Sequence, residues 1–278
     1  MSILLFTLFV FVGSFGAGFL GSLTGLGGGI VVIPLLTSLF GVDIRYAIGA
    51  SLVSVIATSS GAASAYVKEG FSNIRIGMFL EIATTIGALV GAFLALRLST
   101  PIIALIFGFV LIHSAYVSSR PRDKSAGPVK ADRLASLLKM NGTYPSRGGI
   151  VPYNVNSVPT GFGLMFIAGT ISGLLGIGSG AVKVLAMDQA MRLPFKVSTA
   201  TSNFMIGVTA AASAGIYLRQ GYIDPGLTMP VMLGVLLGSS IGARHLFNAE
   251  TKKLRIIFGL VIFVLAVEMI YTGLKGLF

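Results

Sequence analysis

GLLGIGSGAVK, residues 173–183, lies inside a long apolar stretch yet carries four glycines, a serine and a lysine. A glycine destabilises a helix interior by about 1 kcal/mol against alanine, and a lysine in hydrocarbon costs several times that. A near-copy, SLTGLGGGIVV, stands at residues 22–32. Two such stretches indicate helices interrupted at matching places, and the rest of the chain says in which solvent.

Of 278 residues, 54% are hydrophobic and 10% charged, with a mean hydropathy of +0.91. That much apolar surface cannot be hidden in one water-facing fold. Several runs reach the roughly 20 residues that cross hydrocarbon as helix, and strand-type alternation is absent, which argues against a lipid-embedded barrel. The chain reads as an all-α polytopic membrane protein. Its net charge of +11 sits between the apolar runs and not on one basic face, so no nucleic-acid partner is implied. There is no cysteine, hence no disulfide framework, thiolate metal site or cysteine nucleophile. MSILLFTLFVFV at the start lacks a basic leader and reads as the first membrane helix, not a removed signal peptide.

Apolar runs between polar breaks predict helices near 3–23, 27–40, 45–67, 75–97 and 101–118, then near 160–175, 180–191, 196–218, 227–247 and 252–274. The second and seventh are too short for a full span. The chain thus divides into a first membrane repeat (1–118), a connecting loop (119–159) and a second repeat (160–278). The connector holds seven Lys or Arg against two Asp. At a constant offset of 151 residues, Gly18 falls on Gly169, Gly25 on Gly176, Gly27 on Gly178, Gly29 on Gly180, Ser51 on Ser202 and Tyr66 on Tyr217. Duplication of a five-segment unit accounts for this.

Charge orients the chain. With the connector in the cytoplasm, fifteen basic residues lie inside and four outside (Arg45, Arg97, Arg219 and Lys275). Both termini fall outside, so the repeats are expected to be inverted, each with a glycine-broken short or re-entrant helix pair, in a cell inner membrane.

A broken helix is tolerated in lipid only where protein or a water-filled cavity surrounds it. Breaks at Gly25, Gly27, Gly28 and Gly29, and at Gly176, Gly178, Ser179 and Gly180, would start two helices near the midplane. Their free N–H groups and dipole ends would face one another. That arrangement suits an anion. The alternative is close helix packing, which suits Gly87, Gly91, Gly234, Gly238 and Gly242 better. Lys183, one turn past the second break, either meets the ligand, snorkels to the inner interface or pairs with Asp188. Ser51, Ser54 and Thr58, with Thr199, Thr201, Ser202 and Asn203, supply hydroxyls and an amide for a second wall. Singly, each Ser or Thr suits its own helix backbone as well. Glu81, Glu268 and His113 are intramembrane ionisable candidates for proton coupling, set aside because the two glutamates lie near span ends and a lone histidine suits a structural place. No enzyme chemistry, metal site or cofactor is implied.

GFLGSLTGLGGGIVVIPLL (18–36), AIGASL (47–52), GTISGLLGIGSGAVKV (169–184), KVSTATSNFMIGVTAAASA (196–214) and RQGYIDP (219–225) resemble the TauE/SafE family, sulfite-exporter-type permeases, as does the connector's GTYPSRGGIVPYNVNSVPTGF (142–162). The resemblance spans nearly the whole chain. It implies a secondary transporter of small sulfur oxyanions such as sulfite or organosulfonates, with the site at Gly25–Gly29, Gly176–Gly180 and Thr201–Asn203. Ser179 departs from the glycine expected there. Export by alternating access follows, or alternatively proton- or sodium-coupled import of an organic anion. A monomer and a homodimer are both compatible with the sequence.

Overall fold

The computed structural model describes residues 3–24, 28–68, 72–119, 132–146, 149–246 and 251–277. Its first half comprises α1 (Ile3–Thr24), α2 (Gly29–Pro34), α3 (Ile44–Lys68), α4 (Ile74–Arg97) and α5 (Thr100–Ser119). After a connector come α7 (Val158–Leu175), α8 (Gly180–Leu185), α9 (Phe195–Arg219), α10 (Pro225–Leu246) and α11 (Thr251–Lys275). The ten predicted segments are all present. Each short helix runs on into a π-helical turn, Leu35–Leu39 after α2 and Ala186–Ala190 after α8. Pro34 in the first half has Leu185 as its mate, so proline is not the common cause of those turns.

Inside and outside are chemically reversed relative to a water-soluble bundle. On α4 the outward face is Met78, Ile82, Ile86, Val90 and Phe93, while Gly77, Glu81, Thr84, Ala88 and Gly91 are buried. Both rows follow the three-to-four-residue helical period. An apolar exterior around a small and polar interior is what lipid as solvent selects, and α4, α7 and Pro225–Gly242 are each long and apolar enough to cross a membrane. This is an all-α membrane protein.

The 151-residue offset reappears in the packing. α3 and α9 have matching bounds, as do α2 and α8 with their π turns. α1 lies along α10, and α7 lies along α4. A Cβ on Gly18 would strike the backbone of Val235, and one on Gly169 would strike Thr84, its equivalent. Likewise Gly87 abuts Phe166 and Thr170, and Gly238 abuts Phe15 and Phe19. The two halves therefore exchange partners reciprocally, and each α1–α10 or α4–α7 seam joins one half to the other.

The connector is more ordered than a loop. α6 (Arg133–Leu137) precedes an antiparallel ribbon of β1 (Gly142–Ser146) and β2 (Gly149–Tyr153). A two-stranded ribbon has two free edges where Pro145 and Pro152 are accommodated. Ala135, Met140 and Val155 pack with Ile76, Leu80, Met187 and Met191, so the connector caps the ends of α4 and of the π turn after α8. The Asn156 N–H donates to the Met191 carbonyl at 3.1 Å and ties it down.

Candidate functional site

The second interruption is built from left-handed backbone. α7 ends at Gly176 (φ +67°), Gly178 follows at φ +70°, and Ser179 caps α8 at φ +43°. Glycine adopts this region without penalty, whereas Ser179 carries about 1–2 kcal/mol of strain for its Cβ. Its mate Gly28 sits in the right-handed region at φ −66°. The substitution of serine for glycine thus marks a real asymmetry between the breaks. The Ser179 hydroxyl is buried, makes no capping bond and has no partner among the described residues.

The two interruptions meet. An ideal Cβ on Gly29 would lie 3.4 Å from the Gly176 carbonyl oxygen and would collide with the Ser51 hydroxyl. That hydroxyl donates to the Gly176 carbonyl at 2.8 Å, so α3 stitches the two breaks together. Gly29 faces Ser51 and Val55, and Gly180 faces their equivalents Ser202 and Ile206. Ser202 donates to the Gly180 carbonyl at 3.3 Å. Helix geometry leaves the first N–H groups of α2 and α8 without intrahelical acceptors in this buried junction. Gly25 and Gly27 lie outside the described residues.

Not every predicted residue comes to the junction. Thr201 Oγ1 accepts the Asn73 N–H at 3.1 Å, which places it at the start of α4. Asn73 also donates from Nδ2 to Tyr153 Oη at 2.8 Å and to the Met140 carbonyl at 2.9 Å. Asn73, with Arg75, Lys139 and Tyr153, lines a polar pocket of about 220 Å³. Asn203 is half-buried on α9 and brings no hydrogen bond to the breaks. Ser54 and Thr58 return their hydroxyls to α3 carbonyls, at 2.7 Å and 3.0 Å.

Lys183 does not snorkel. It is fully buried, at 0% exposure, and its Nζ donates to Thr209 Oγ1. The Thr209 hydroxyl in turn lies 2.6 Å from Glu81 Oε1 and 2.9 Å from the Met205 carbonyl, and its one proton is shared between these acceptors. Thr85 supplies a further donor to Oε1 at 3.2 Å, and Oε2 is buried without a partner among the described residues. A base on α8 and an acid on α4 are thus joined through a hydroxyl on α9. Setting Glu81 aside as a span-end residue was a misreading, because it stands two turns inside α4 and is only 8% exposed. Its place on the Gly77–Thr84–Gly91 face was the signal available in the sequence. Among the described residues no cluster of three metal-ligating side chains occurs.

A family model described as sulfite exporter TauE/SafE matches residues 10–269. The chain is 28% identical over 267 residues to a probable membrane transporter protein, YunE, of Bacillus subtilis, covering 93% of this chain and 95% of that one. It is 26% identical over 275 residues to a probable membrane transporter protein of Xylella fastidiosa, covering 98% of each. No solved structure matches it.

Proposed function

The chain belongs to the TauE/SafE family of membrane transporters, and on that premise we propose that it exports small sulfur oxyanions such as sulfite or organosulfonates. The observation that carries this reading is the meeting of the Gly28–Gly29 and Gly176–Gly180 interruptions beside the buried Lys183. Free N–H groups, the Ser179 hydroxyl and the Lys183 amine form a set of hydrogen-bond donors suited to an anion's oxygens. Tetrahedral or pyramidal oxyanions, with several acceptor oxygens, answer it.

Inverted repeats give alternating access its two equivalent states. The moving bodies in this proposal are not the covalent halves. The glycine-lined seams fuse α1 with α10 and α4 with α7, so each body takes helices from both halves and slides across the α3–α9 contact. The membrane potential supplies direction, since one negative charge leaving a cell gains about 2.3 kcal/mol per 100 mV. In proteoliposomes with pH clamped, a 100 mV potential is expected to drive a monovalent sulfonate to about a fiftyfold gradient. Flux that ignores potential and follows a pH or sodium gradient would replace export with the coupled-import reading.

The orientation has its own test. Because the chain lacks cysteine, single-cysteine variants report sidedness cleanly. Ser125→Cys in the connector is expected to react with an impermeant maleimide only after permeabilisation, and Gln220→Cys at the end of α9 in intact cells. The opposite pattern would overturn the inside-basic arrangement.

A further inference from the structure

We infer that Glu81 is the resident counter-charge of the anion site, the group that lets the empty carrier return. The inference rests on the proposed function above and assigns a role to a residue that function leaves unused. Lys183, Thr209 and Glu81 form one buried chain across α8, α9 and α4, with Thr209 accepting from the amine and donating to the carboxylate. Among the described residues, Asp188 on the π turn that continues α8 is the nearest further ionisable side chain along that helix. α7 has none, and α9 carries Lys196, Tyr217 and Arg219 toward its ends, well along the helix from Thr209.

The charge count gives the consequence. Whether the shared proton lies on the amine or the carboxyl, Lys183 and Glu81 sum to zero, so the empty site crosses the low-dielectric interior without an isolated charge. When an oxyanion binds Lys183, the loaded site carries the anion's charge, and each cycle moves that charge outward. Glu81 Oε1 has the Thr209 and Thr85 hydroxyls within hydrogen-bond distance, the former shared with the Met205 carbonyl, so the carboxylate keeps donors when Lys183 turns to the substrate. Removing the carboxylate leaves Lys183 as an uncompensated buried cation, a strongly unfavourable state. Such a lysine recrosses only with an anion in place or by shedding its proton. Net transport then becomes exchange.

The experiment compares two fluxes in the same proteoliposomes: net efflux of sulfite or a sulfonate into anion-free buffer, and exchange of labelled for unlabelled anion. Glu81→Gln is expected to cut net efflux by about a hundredfold while exchange stays within about threefold of the unaltered protein. Glu81→Asp, which keeps the charge, is expected to restore most of the net efflux. Loss or retention of both fluxes together in folded Glu81→Gln overturns the inference. Should that variant not fold, Thr209→Val, which cuts the bridge and keeps both charges, must slow net efflux more than exchange, and equal slowing overturns it. If the unaltered protein shows neither flux, the oxyanion-carrier reading fails first, and the role of Glu81 with it.

Discussion

Lys183→Ala is expected to abolish oxyanion flux while leaving the protein inserted at normal levels. The two halves of that expectation have separate causes. Insertion is decided by the apolarity of the segments, and losing a lysine from one does not lower it. Flux depends on the one cation that α8 places beside the interruptions, fully buried and already engaged through Thr209. Truncating one partner of a buried charge-assisted contact costs about 2–5 kcal/mol, or roughly thirtyfold to several thousandfold in binding. Lys183→Met keeps the length and should behave like alanine, which separates lost charge from a packing void. The check is efflux together with the thermal stabilisation that sulfite or a sulfonate confers, and both should vanish in each variant. Full flux in Lys183→Met would remove Lys183 from the site and leave the helix interruptions as the sole anion donors.

The membrane helices were legible because apolar runs and polar breaks are local features, and lipid admits few alternatives to helix. The interruptions were legible for a similar reason. Four glycines in five residues at 25–29, with an echo at 176–180, cannot be ordinary helix interior. What the sequence hid were side-chain meetings between distant segments. Thr209 and Glu81 are 128 residues apart, and nothing in either neighbourhood names the other. Thr201 looked equivalent to Ser202 as a neighbour in one polar run, yet adjacent residues on a helix point about 100° apart. One turns to Asn73 and the other to Gly180. The ribbon in the connector was not legible because its strands, Gly142–Ser146 and Gly149–Tyr153, are short and carry proline without apolar alternation.

Paired valine substitutions at the seams should be the most damaging to the fold itself, and equally so in both halves. A Cβ on Gly87 would be driven into the Phe166 carbonyl, and one on Gly238 into the Phe15 carbonyl, its equivalent 151 residues away. Backbone cannot yield as a side-chain tip can, so relief requires separating α4 from α7 or α1 from α10. Overpacking of this kind costs about 1–3 kcal/mol even where side chains can shift, and these seams should reach the top of that range. Each variant is expected to lower the unfolding midpoint in detergent by about 6–12 °C, at about 2–4 °C per kcal/mol for a chain near this size. Gly16→Ala is the control, since nothing lies within 4 Å of its Cβ position and a helix gains from alanine. Its midpoint should hold or rise. A loss at Gly87 without one at Gly238 would mean that the halves do not share one packing plan. A loss at neither would mean that helix backbones do not touch there, and the bodies proposed to slide would have nothing holding them together.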